Sequence, residues 1–212
     1  MTLRLHYSPG ASSLIPHILL EDAGAKFSTN RVDTKTGAQR TPEFLQLNPL
    51  GRVPVLEDNH RVITETSAIA WYLMSQFPAA SIVRNSLVYE EVELMESLSY
   101  FSTVVQPLFA QIYRPSRISG DESYWPLLRA EAESKLPEVF LHIKQKIQQE
   151  LALDGPSLLS VYVLTFYRWA CRCGYVPDQP TCANVCKRLL KQTSVIRVLQ
   201  REGLSVSEWN LS

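Results

Sequence analysis

The chain has 212 residues, and its 21 Lys and Arg balance 21 Asp and Glu to a formal net charge of zero. That balance offers no broad electrostatic attraction for nucleic acid or for an anionic membrane surface. A hydrophobic fraction of 45% is too rich for a disordered chain and enough for a real core, in one large domain or two small ones.

The first residues do not read as a secretory signal, because the apolar run Leu14–Leu20 is short and is broken by Pro16 and His17. No uninterrupted run of ~18 apolar residues follows, so no transmembrane helix is expected. The expectation is a soluble, cytoplasmic protein. Residues 2–7 alternate as a strand, a Ser-Pro-Gly turn follows, and helical periodicity runs from about Ser12 to Ala23 and closes on Gly24. Pro16 fits best in the first turn of that helix, where its missing N–H is not needed. Residues 27–33 read as a second strand and TKTGAQRT as a loop. A short helix then has Thr41 as its cap and Pro42 at its first position. Val53–Glu57 and Arg61–Ile63 form a hairpin across Asp58-Asn59-His60, and a helix from about Glu65 to Gln76 completes a βαβαββα order before Phe77-Pro78.

Beyond that point strand signals nearly vanish and long helical periodicity takes over, with breaks near Pro115–Gly120, Asp154–Pro156 and Gly174–Pro180. The chain therefore divides into residues 1–77, a linker at 78–83, and an all-helical domain at 84–212. Four cysteines fall late, at 171, 173, 182 and 186. Residues two apart on a helix point ~200° away from each other, so Cys171 and Cys173 do not easily share one metal. Cys182 and Cys186 do share a face, but two ligands are not four. Buried, reduced thiols are the expectation, with no metal.

Residues 48–73, NPLGRVPVLEDNHRVITETSAIAWYL, carry the most chemistry. Pro54 heads a strand, which suits either an ordinary trans proline at a strand start or a cis Val53–Pro54 bond. In the second case the Val53 backbone faces outward, open to an extended peptide. Thr64-Glu65-Thr66 opens a helix, and the first amides of a helix suit a small carboxylate. The Thr66 hydroxyl adds a donor, and Glu65 can meet an ammonium. The plainer reading makes Thr64 the cap and Glu65 a complement to the helix dipole.

The spacing N-P-x-G-x-V-P, hairpin, E-T-x-A-I strongly resembles the glutathione transferase family. Y-S-P-G-A-S-S-L-x-P-H at residues 7–17 is similar to the bacterial beta class. Residues 157–169 and 194–203 resemble the core helix and the closing helix of the family's second domain, so the likeness runs through the whole chain. It implies a thioredoxin-like N-terminal domain followed by a helical bundle, with glutathione as co-substrate, no metal, a homodimer and a small hydrophobic electrophile. Conjugation, isomerisation and peroxide reduction all stay open. Val53 is implied to hold the cysteinyl backbone of glutathione, and Glu65 and Thr66 its γ-glutamyl group. Arg52 and Lys35 lie where polar or basic groups often stand near the tripeptide.

Three departures matter. Beta-class members carry cysteine where this chain has Ser12, which removes thiol–disulfide exchange at that position. A serine can still donate to a thiolate. Lowering a thiol from ~8.5 to ~6.5 takes ~2.7 kcal/mol. One charge-assisted hydrogen bond of ~1.5–3 kcal/mol plus a helix dipole of ~0.3–1 kcal/mol just suffices. Ser12 ranks first as donor, then Tyr7, then Ser13. In the helical half, Ser102 and Thr103 stand in place of a cleft His-Lys pair, and no histidine takes position 106. Tyr100, Gln106, Phe109 and Tyr113 recur at helical spacing and either line an acceptor pocket or belong to the core. Lastly, Ser160 replaces the usual Asp of a capping box with Ser157. That predicts a loss of about 0.5–1 kcal/mol that Ser160→Asp would restore. Two functions stay in view: a glutathione-activating transferase, and a non-catalytic binding or regulatory relative that kept the scaffold.

Overall fold

The computed structural model describes residues 2–59 and 61–211. Its first half runs β1 (Leu3–Tyr7), α1 (Leu14–Asp22), β2 (Phe27–Arg31), α2 (Pro42–Leu47), β3 (Val55–Asp58), β4 (Arg61–Thr64) and α3 (Thr66–Gln76). This is the thioredoxin-like βαβαββα order that the sequence suggests. The sheet order is β2-β1-β3-β4, with β1 and β2 parallel and the other neighbours antiparallel. The β1–α1–β2 crossover lays α1 on the sheet, and Leu14 to Leu20 are all buried. Of the expected Asp58-Asn59-His60 turn, His60 lies outside the described residues; Asn59 takes a positive φ of 52°. Thr41 caps α2 by accepting from the Phe44 amide, and Pro42 opens that helix.

The remaining helices are α4 (Ser81–Ser86), α5 (Glu91–Tyr100), α6 (Gln106–Tyr113), α7 (Trp125–Ser134), α8 (Leu136–Lys146), α9 (Leu158–Arg172), α10 (Pro180–Leu189) and α11 (Thr193–Glu202). Compactness does not follow chain order throughout. One unit holds the described residues up to Asn85 together with Leu190–Ser205; the other holds Ser86–Leu189 and the described residues from Val206. Within the first unit, α11 packs on α1. It ends on Gly203 at φ 69°, a left-handed C-cap that glycine adopts without penalty.

In the helical unit α9 forms the core, buried from Leu158 to Arg168. Phe101 and Phe109 both stack on its Phe166, at 5.5 and 5.9 Å between ring centroids. Between them, residues 101–105 form a π-helical turn in which the Gln106 amide reaches back to the Phe101 carbonyl. This extra residue brings Pro107 to the start of α6, where it has no helical partner to lose.

The capping box of α9 corrects the expected weakness at Ser160. Ser157 and Ser160 do bond reciprocally, and beside them lies the buried carboxylate of Glu150. It accepts from the Tyr89 hydroxyl at 2.6 Å and from both the Ser157 and Ser160 hydroxyls. The acid missing from position 160 is thus supplied by the preceding turn. Arg188 donates to the carbonyls of Glu150 and Leu153 at 2.8 and 2.6 Å, which fixes that turn in place.

Candidate functional site

One end of the sheet collects most of the sequence candidates. β1 and β2 finish there, β3 begins there and β4 finishes there, as their registers require. The Val32 amide donates to the Tyr7 carbonyl at 2.7 Å, which extends the β1–β2 pairing onto the segment leading to Lys35. The pairs His6–Val55 and Val55–Thr64 run directly into Tyr7, Pro54 and Glu65. Tyr7–Ser13, Asp33–Lys35, Arg52–Pro54 and Glu65–Thr66 therefore come together on this edge. Ligands of α/β folds generally bind at such strand ends.

The turn after β1 is internally locked. Ser13 Oγ accepts from the Ser8 amide at 3.2 Å and donates to the Ser8 carbonyl at 3.1 Å. This commits the Ser13 proton to the loop, so Ser13 acts as a clamp rather than as a donor to a ligand. Ser12 is mostly buried, and its hydroxyl has no hydrogen-bond partner among the described residues. Gly10 takes φ 66°, and its amide donates to Glu202 Oε2 at 2.8 Å. The other oxygen of Glu202 meets His17 Nδ1 at 2.7 Å, with both side chains fully buried. The His17 ring packs against Tyr7 and Phe27, at 5.2 and 5.8 Å between centroids. Burial, with the Glu202 charge second, pushes the Tyr7 phenol above its ordinary value, and Arg31 opposes the shift. Tyr7 therefore keeps its proton at neutral pH and is available as a hydrogen-bond donor.

The segment ahead of β3 is held by Asn48. Its Nδ2 donates to the Arg52 carbonyl at 2.8 Å, and its Oδ1 accepts from the Leu50 amide at 3.0 Å. Gly51 turns at φ 59°, and a Cβ there would stand 2.8 Å from the Gln39 carbonyl. The Val53–Pro54 bond is cis. The Val53 side chain packs against the Val32, Phe44 and Val55 cluster, which anchors this stretch from below. Arg52 and Lys35 are both exposed, and the Lys35 amide bonds to Asp33 Oδ1 at 2.9 Å. Asn48, Gly51, His17 and Glu202 are parts of the site region that carried no assigned role in the sequence reading.

Glu65, not Thr64, is the cap residue of α3, and its side chain does not cap the helix. Its backbone lies at φ 66°, ψ 126°, a conformation that favours glycine and costs a non-glycine residue ~1–3 kcal/mol. Thr66, at the first helical position, is 5% exposed.

The second-substrate candidates lie in the helical unit. The Tyr100 ring stands 4.3 Å from that of His142, and burial raises its phenol. Gln106 is half-buried at the start of α6. Tyr113 donates to the Trp169 carbonyl at 2.5 Å, and burial holds its phenol protonated. That hydroxyl is already engaged in tying α6 to α9. Burial pushes the Cys171 thiol up to about 11 and Cys182 up to about 12. Among the described residues no three His, Cys, Asp or Glu side chains are grouped to hold a metal ion.

The family model described as glutathione S-transferase, N-terminal domain, matches residues 1–75. Glutathione S-transferase GstA of Escherichia coli O157:H7 is 30% identical over 172 residues, covering 79% of this chain and 82% of that one. A bacterial beta-class glutathione S-transferase from Sphingomonas chungbukensis superposes with a TM-score of 0.74 at 27% identity, over 95% of this chain and 100% of that chain. A glutathione transferase homologue from Sulfitobacter, solved with bound glutathione, superposes with a TM-score of 0.81 at 23% identity, over 96% and 99% of the two chains.

Proposed function

The chain belongs to the glutathione S-transferase family, and from that premise we propose that it binds glutathione at the strand-end edge of its first unit and ionises the thiol for attack on a small hydrophobic electrophile. The strongest support is Glu65. A residue held at positive φ without serving as a side-chain cap is conformational cost that helix formation does not explain. The cost has a use if Glu65 must face a ligand ammonium while the first turn of α3 receives the neighbouring carboxylate. The γ-glutamyl end of glutathione carries both groups on one carbon. Thr66 adds a donor beside them, and the Val53 backbone takes the cysteinyl part of the peptide.

That pose brings the thiol toward the Gly10–Ser13 turn at the end of β1. Ser12 has an uncommitted hydroxyl, whereas Ser13 does not. Ser12 is therefore assigned the hydrogen bond to the thiolate, with the start of α1 adding its dipole. Tyr7, a phenol with raised affinity for its proton, is the auxiliary donor. Arg52 and Lys35 contribute charge at the rim of the tripeptide. Tyr100 and Gln106 are proposed to line the electrophile pocket, with Tyr113 in a supporting place. A homodimeric, cytoplasmic protein related to the beta class fits this reading, with Ser12 replacing that class's cysteine.

Calorimetry with glutathione on the wild type and on a Glu65→Ala, Thr66→Ala double variant tests the site. Binding in the micromolar-to-millimolar range that is lost in the variant supports it. A wild type that does not bind glutathione removes the enzyme reading and leaves a family scaffold with another role.

A further inference from the structure

We propose that Glu202, oriented by His17, is a positioning residue for thiol activation, holding the Gly10–Ser12 turn so that the Ser12 hydroxyl is aimed at the glutathione sulfur. The inference rests on the function proposed above and assigns a part of that site to a helix 190 residues away in sequence from the turn.

Both oxygens of Glu202 are used: Oε2 accepts from the Gly10 amide at 2.8 Å and Oε1 meets His17 Nδ1 at 2.7 Å. Both side chains are fully buried. Burying a carboxylate is a poor way to gain stability, because apolar side chains of similar volume often do as well. What the pair supplies here is direction. A carboxylate fixed at one oxygen by an imidazole can hold a backbone amide with its other oxygen, and that amide lies two residues before Ser12. The imidazole is itself held by ring packing against Tyr7 and Phe27, and its Nε2 reaches no partner among the described residues. His17 therefore orients Glu202.

Reach and charge have opposite consequences. The negative charge of Glu202 disfavours a nearby anion, as its upward effect on Tyr7 shows. If charge were what mattered, removing it would ease thiol ionisation. If reach matters, shortening the side chain must hinder ionisation even though the charge stays. The ionisable groups facing one another here are Tyr7 from β1, Arg31 from β2, His17 from α1 and Glu202 from α11.

Glu202→Asp keeps the charge and loses one methylene of reach, while Glu202→Gln keeps the reach and loses the charge. Each is compared with the wild type by glutathione calorimetry, by thiolate absorbance against pH for the bound tripeptide, and by denaturation. Glu202→Asp is expected to keep glutathione affinity within about threefold and to raise the apparent pKa of the bound thiol by about one unit, a ~tenfold loss of thiolate below that pKa. Glu202→Gln is expected to leave that pKa at or below the wild-type value. An unmoved thiol pKa in Glu202→Asp, even with lost stability, makes the pair merely structural and overturns the inference. An equal rise in both variants overturns it too. If Glu202→Asp does not fold, His17→Phe keeps an aromatic ring between Tyr7 and Phe27 and removes the nitrogen that orients Glu202. With the carboxylate no longer oriented by the lost Nδ1, it must then raise the same pKa, and an unchanged value again overturns the proposal. A wild type without glutathione binding overturns the function and this inference together. Wild-type binding with an unmoved Glu202→Asp overturns this inference alone.

Discussion

Ser160→Asp, which the sequence pattern recommends as stabilising, is expected to destabilise this protein. The Glu150 carboxylate already receives the Ser160 hydroxyl, the Ser157 hydroxyl and the Tyr89 hydroxyl in a buried pocket. The substitution removes a donor to a charged group, worth ~1.5–3 kcal/mol, and puts a second carboxyl in its place. Two negative charges about 4 Å apart repel by ~4 kcal/mol at an effective dielectric of 20. Uptake of one proton by the new pair caps the penalty, so a net loss of about 3–5 kcal/mol at pH 7 is expected. The native variant then binds more protons than its unfolded chain above the ordinary carboxyl range. Its stability must fall as pH rises, and its deficit against the wild type must shrink toward pH 5. Denaturant midpoints of wild type, Ser160→Ala and Ser160→Asp at pH 5 and 7 measure this. A Ser160→Asp midpoint equal to or above that of the wild type at pH 7 refutes the reasoning.

Two further outcomes follow from the site and from the cysteines. Ser12→Ala removes the one uncommitted hydroxyl of the turn. It should raise the pKa of the bound glutathione thiol by about 1–2 units, in line with ~1.5–3 kcal/mol for a charge-assisted bond, while calorimetric affinity changes little. An unchanged thiol pKa would transfer the donor role to Tyr7. The Cys171 and Cys182 thiols, pushed by burial to about 11 and about 12, hold almost no thiolate at pH 8. Alkylation by iodoacetamide in the folded protein should be slow at pH 8 and speed up toward pH 10. Complete modification within minutes at pH 8 without denaturant would contradict that burial.

The sequence carried local information well. Alternation gave β1, Thr41-Pro42 gave the start of α2, and helical periodicity gave α1 and α3 to within a few residues. The Val-Pro and Glu-Thr spacing marked the edge where the proposed site lies. What could not be read were partners joined only by folding. Glu202 and Gly10 are 192 residues apart, and nothing in the periodicity of α11 distinguishes a buried glutamate from a solvated one. Ser160 failed for a similar reason: its acid came from a 3₁₀ turn outside the helix that it caps. The π turn at residues 101–105 had no sequence signal of its own, and it lies where Phe101 and Phe109 stack on α9.

The composition of the first unit sets an order of events during synthesis. Its sheet and first three helices have emerged once Asn85 clears the ribosome, yet α11, which carries the acceptor for the Gly10 amide, is made last. At roughly 5–20 residues per second the nascent sheet waits several seconds or more for its final helix. Until then His17 and Gly10 lack the carboxylate that joins them. A nascent chain therefore gains the hydrophobic body of its first unit early and the anchored turn only once α11 is made, so products that stop short of α11 lack the finished turn.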